Sequence, residues 1–189
     1  MNALLRYSDK RYTPKYFGQW MGERRPLAQH YYNAIKSNSG FKRINRIQDL
    51  LPGDLIILLA GQDTKPVQLE GEDGHLMLVA STPEKIKPIL PLESKGKKGD
   101  ELNEQWAVWV IDQAKWGHGA KDLRNKSGEI GRSYEGLGKG KFRIYSDKGG
   151  QILGFTWSVS ANSAYRVQGL EHDPKAYQII MGRLNPEFN

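Results

Sequence analysis

The feature that most constrains this chain is a series of short apolar runs with no helix-length segment between the later ones. Leu55–Ala60, Leu76–Ala80, Trp106–Ile111, Lys141–Ser146, Ile152–Val159 and Ala176–Met181 each have the length and β-branched or aromatic content of a strand. Parallel neighbours need a crossover of a dozen or more residues, usually helical. Without such crossovers, the strands are expected to form a mainly antiparallel sheet. Asp147-Lys148-Gly149-Gly150 has the composition of a hairpin turn between two of them.

Helices are expected before the sheet. Residues 2–7 can finish one with Leu4 and Leu5 inward, and Pro26–Lys36 places Leu27, Tyr31, Ala34 and Ile35 on one face behind a first-turn proline. Residues 8–25 hold Pro14, Gly18 and Gly22 and predict an ordered loop with one short helical turn. The expected class is therefore α+β: N-terminal helices packed on a curled, mainly antiparallel sheet of five to six strands. The 189 residues suit a single domain. Two long loops are expected, over 82–105 and 115–140.

Composition removes several functions. Cysteine is absent, which excludes disulfides, thiolate metal sites, iron–sulfur clusters and a cysteine nucleophile within these residues. The longest apolar run, Leu55–Ala60, is far short of a membrane-spanning helix, and residues 1–7 are too short an apolar stretch for a secretory signal. A cytoplasmic location is expected, or the cell envelope or exterior if an export signal has been removed. The four histidines (His30, His75, His118, His172) show no zinc-ligand spacing, so no metal or cofactor is expected. Gly136-Leu137-Gly138-Lys139-Gly140-Lys141 lacks the spacing and the Ser or Thr of a phosphate loop. It precedes a strand, so it is taken as a turn.

The net charge of +7 lies entirely in residues 1–50, where ten Lys and Arg face only Asp9, Glu23 and Asp49. Residues 1–25 interleave these cations with aromatics. Tyr12, Trp20, Arg24 and Arg25 are the candidate contacts for an anionic glycan, a wall polymer or, with less support, nucleic acid. A solvated face whose rings pack on the domain is the other reading.

His75 stands apart from the other histidines. It follows a small residue and opens an apolar strand, while Asp112 closes the next predicted strand. Antiparallel pairing sets the start of one beside the end of the other. An imidazole oriented by a carboxylate is the base half of a nucleophilic triad, although His–Asp pairs at loop edges also occur for structural reasons. The two side chains are expected about 2.6–3.2 Å apart or joined through one water. Trp116 and His118 are candidate neighbours. Trp106 and Trp109, lying in a strand, are expected to pack.

The order Leu51-Pro52-Gly53-Asp54-Leu55-Ile56, then Gly74-His75-Leu76-Met77-Leu78-Val79, then Val110-Ile111-Asp112 resembles the core of the NlpC/P60 papain-like cysteine peptidases. Further motifs resemble an uncharacterised bacterial branch of that superfamily. They are Arg25-Pro26 with Tyr31-Tyr32, Gly40–Arg43, His118-Gly119, the Gly-Leu-Gly-Lys-Gly segment, Phe155–Ser158 and Met181-Gly182-Arg183. The resemblance implies a papain-like fold, His75 as base, Asp112 as its orienting residue and cell-wall peptide as substrate. It also implies a nucleophilic Cys at the start of the first helix, which this sequence lacks. The chain is then a hydrolase scaffold, incomplete or inactive for thiol chemistry.

Overall fold

The computed structural model describes residues 1–59, 74–88, 104–125, 135–169, 177–185 and 187. His172, Ala60 of the first expected strand, and 89–103 and 126–134 of the two expected loops lie outside the described residues. Three short helices come first: α1 (Asn2–Ser8), α2 (Pro14–Met21) and α3 (Ala28–Lys36). The strands are β1 (Phe41–Ile44), β2 (Leu55–Leu59), β3 (Gly74–Val79), β4 (Glu84–Ile86), β5 (Glu104–Ala114), β6 (Gly136–Ser146), β7 (Ile152–Thr156), β8 (Tyr165–Val167) and β9 (Gln178–Leu184). They form one nine-stranded sheet in the order β1-β9-β2-β3-β5-β6-β7-β8, with β4 on the flank of β5. Every pairing between these strands is antiparallel.

This corrects the expected α+β, papain-like fold with five to six strands. The molecule is mostly sheet, and its helices are minor. Three local causes account for the difference. The strands β1, β4 and β8 are three or four residues long, too short to show a period. The strands β5 and β6 run eleven residues each, into segments read from sequence as loop. The helices also seal only one face of the sheet.

Local chemistry explains the helix boundaries. Thr13 caps α2 by accepting from Tyr16 N at 3.1 Å, Pro14 takes its first turn, and Gly22 ends it at φ +74°. Residues 14–21 are therefore a helix rather than the expected loop. The third helix starts at Ala28, two residues after the proline expected to open it. Leu27 N there donates to His30 Nδ1 at 3.2 Å.

Strand alternation divides the core. Leu55, Ile57, Leu59 and Ile180 meet Leu5, Phe17, Tyr31 and Ile35 from the helices. The opposite face carries Ile56, Leu58, Met77, Val79, Val108, Val110, Phe142, Phe155, Ile179 and Met181. No α-helix covers this second face among the described residues, and Ile47 of the 3-10 turn packs into it. The sheet instead curls over it, and Ile47 N donates to Gly150 O at 3.0 Å, tying the 3-10 turn after β1 to the β6–β7 hairpin. His75 is in step with Met77 and Val79, and Asp112 with Val108 and Val110, so both belong to the enclosed face.

The Pro52-Gly53-Asp54 turn has a structural role. Asp54 accepts from Leu51 N at 2.7 Å and from Arg183 Nε and Nη2, both at 2.8 Å. This buried carboxylate locks the entry of β2 to the end of β9.

Candidate functional site

The β3–β5 register pairs Leu78 with Ile111 and Val79 with Val110. Continued by one residue, it sets Met77 opposite Asp112, so His75 lies diagonally across from Asp112 on the same face. Long side chains reach across such a diagonal. His75 Nε2 lies 2.6 Å from Asp112 Oδ2. The imidazole is partly open, with 24% of its side chain exposed, while the carboxylate is fully enclosed.

Asp112 is shared. His118 Nε2 is 3.0 Å from the same Oδ2, and Arg124 Nη2 donates to Oδ1 at 2.8 Å. Both partners come from the segment after β5, which Asp122 folds into a compact knot. Asp122 accepts from the backbone of His118 at 2.7 Å and of Arg124 at 2.8 Å, and from Arg124 Nε and Nη2 at 2.8 Å. Asn125 Nδ2 closes the knot on Gly119 O at 2.7 Å, with Gly119 at φ +85°. Asp112, His118, Asp122 and Arg124 are all 5% exposed or less.

The glycine run makes room for this cluster. Asp112 pairs with Gly138 and Val110 with Gly140. A Cβ on Gly138 would sit 2.3 Å from Arg124 Nε, and one on Gly140 would sit 2.4 Å from Asp122 Oδ2 and 2.6 Å from His118 Cβ. Glycine at alternate strand positions leaves a bare strip on which a charged loop can lie flat. Trp157, just beyond β7, completes the site. Its ring stacks on His118 at 4.4 Å and meets the edge of His75 at 5.0 Å.

The electrostatics follow from this geometry. Burial pushes the Asp112 carboxyl up, but the hydrogen bonds from His118 and His75 outweigh it and hold the group well below the usual carboxylate range. Burial acts likewise on Asp122, and its bonds from the Arg124 side chain and the His118 and Arg124 amides lower it overall. Both carboxylates are therefore ionised at neutral pH. Among the described residues, no group of three or more His, Asp or Glu side chains is arranged to hold a metal ion.

The remaining sequence candidates are scattered. Tyr12 is buried, with its ring stacked on Phe17 at 6.1 Å. Trp20 stacks on Phe41 at 5.4 Å and donates Nε1 to Ser39 O at 3.0 Å. Arg24 and Arg25 are exposed on the loop before α3. Trp116 is 64% exposed, and its carbonyl accepts from Trp157 Nε1 at 3.1 Å. Trp106 packs against the enclosed core, and Trp109 lies beneath Lys139 and Lys141 on the outer face of the sheet. Asp122, Arg124 and Trp157 escaped sequence reasoning. The alternate glycines opposite Asp112 were the available signal.

No helix of the described residues is long and apolar enough to cross a membrane. No family model matches the chain, and no solved structure matches it. It is 33% identical over 187 residues to "Uncharacterized protein R653" of Acanthamoeba polyphaga mimivirus, a match covering 98% of this chain and 75% of the viral protein. The chain belongs to the family of that mimivirus protein.

Proposed function

We propose that this chain is the scaffold and general-base half of an amide-cleaving hydrolase, with His75 as base and Asp112 as its orienting carboxylate. The 2.6 Å contact between His75 Nε2 and the buried Asp112 carries this reading. An ionised carboxylate only accepts, so the ring proton sits on Nε2 and the lone pair on Nδ1. In the reaction, Nδ1 takes a proton from the attacking group as its oxygen adds to the carbonyl. The same proton then passes to the leaving amine nitrogen as the C–N bond breaks. Asp112 stays ionised and fixes the tautomer throughout.

The order of motifs that resembles the NlpC/P60 peptidases favours the same chemistry and a cell-wall type of peptide as substrate. Thiol attack is closed to a sequence without cysteine. Water is the attacking group open to His75, and a base alone contributes about 10²–10⁴ in rate. Turnover of unactivated peptides by these residues is therefore expected to be negligible, and activated esters are the proper probe. Hydrolysis of p-nitrophenyl acetate should exceed the buffer rate, the excess should vanish in His75→Ala, and iodoacetamide should leave it unchanged. Equal rates in the parent protein and His75→Ala would overturn the proposal.

Binding of an anionic polymer by the N-terminal segment retains Arg24 and Arg25 as exposed contacts. The rings of Tyr12 and Trp20 are engaged in packing. Such binding would weaken steeply with added salt.

A further inference from the structure

We infer that His118 is a buried imidazolium that shares one oxygen of Asp112 with His75 and thereby keeps His75 in its neutral, proton-accepting form. The inference rests on the reading of His75 as a base and assigns a positioning residue to that site.

The argument is one of donors and acceptors. His118 Nδ1 lies 2.5 Å from the carbonyl oxygen of Trp157, and Nε2 lies 3.0 Å from Asp112 Oδ2. A carbonyl and an ionised carboxylate only accept, so both ring nitrogens must donate. The side chain is wholly enclosed, which leaves no solvent to satisfy a bare nitrogen. The charge count agrees. Among the described residues, the titratable or charged groups around the ring are His75 from β3, Asp112 from β5, and Asp122 and Arg124 from its own segment. β6 presents Gly140 and Phe142 to it, and the residue after β7 is Trp157. Two carboxylates, one guanidinium and one imidazolium balance only if His75 is neutral. A second proton on His75 would place two imidazolium rings on one carboxylate oxygen, and like charges this close oppose that proton.

The test is the long-range proton–nitrogen NMR spectrum of protein labelled with ¹⁵N-histidine. Single Gln replacements of His30, His75 and His172 assign the signals, so that His118 is identified without being altered. Two proton-bearing ring nitrogens on His118 throughout neutral pH are expected, and a bare nitrogen there overturns the inference. In His118→Gln, which keeps a donor but removes the charge, the proton affinity of His75 should rise about tenfold. The acid limb of ester turnover should move by the same factor. An unchanged His75 titration in a folded His118→Gln protein also overturns the inference. If that variant does not fold, the spectrum of the unaltered protein decides alone. The hydrolase reading fails differently, through ester turnover that is indifferent to His75, and the spectrum of His118 is independent of that result.

Discussion

The two faces of the sheet solve the burial problem in opposite ways. The helical face joins Leu5, Phe17, Tyr31, Ile35, Phe41 and Ile57 in an apolar cluster laced by stacked rings. The enclosed face is equally apolar toward β2 and β9, but at its β5–β6 end it buries two carboxylates, a guanidinium and an imidazole side by side. Apolar burial stabilises directly, at roughly 25 cal/mol per Å². A buried ion cluster must first overcome desolvation and often adds little net stability over apolar residues of the same shape. A fold that needed only stability could have filled this corner with leucine. The charged cluster ends at the partly open imidazole of His75, and under the proposed hydrolase reading it serves that base.

The largest departure between the faces is expected for Asp112→Ala. It leaves Arg124 and His118 buried without their shared partner, at a cost of about 3–5 kcal/mol, and should abolish His75-dependent ester turnover. Urea unfolding and initial rates on the same samples check both effects. Ile35→Ala on the helical face should cost about 2–4 kcal/mol through the cavity it leaves, yet preserve turnover once the sample is folded. A loss of turnover there would show that the two faces are coupled. Gly140→Ala should cost about 1–3 kcal/mol, because the new Cβ would overlap Asp122 and His118, and it should reduce turnover more than stability. Trp116→Ala, at an exposed position, should change stability by no more than about 0.5 kcal/mol.

Acid should act on the charged face first. Asp112 and Asp122 are held below their ordinary range in the folded state. Their stabilising contribution is complete above the ordinary carboxylate range and is lost as pH falls below it toward the folded values. Thermal unfolding followed downward from pH 5 should therefore show declining stability, and Asp112→Asn should flatten that decline.

The unequal legibility of the two faces has the same physical origin. Apolar periodicity marks Leu55–Leu59, Leu76–Val79 and the face of α3, because burial of area depends on residue type at a fixed spacing. It also links His75 to Asp112, since antiparallel register is a regular rule. The α2 helix was hidden by Pro14, Gly18 and Gly22, although Thr13-Pro14 and Gly22 are its cap, first turn and terminator. β1, β4 and β8 exist through pairing with neighbours and carry too few residues to announce themselves. That omission led to the expectation of only five to six strands. The Asp122–Arg124 knot depends on side-chain geometry within an irregular segment, which has no period. Only the alternate glycines of β6 marked where it would lie.

A double-mutant cycle on ester turnover tests the central claim most directly, with His75→Ala, Asp112→Asn and the pair compared as folded proteins. If Asp112 acts by orienting His75, the pair loses no more rate than His75→Ala alone, since the carboxylate has nothing left to orient. If the two losses multiply, the residues act independently and the account of a single oriented base is contradicted.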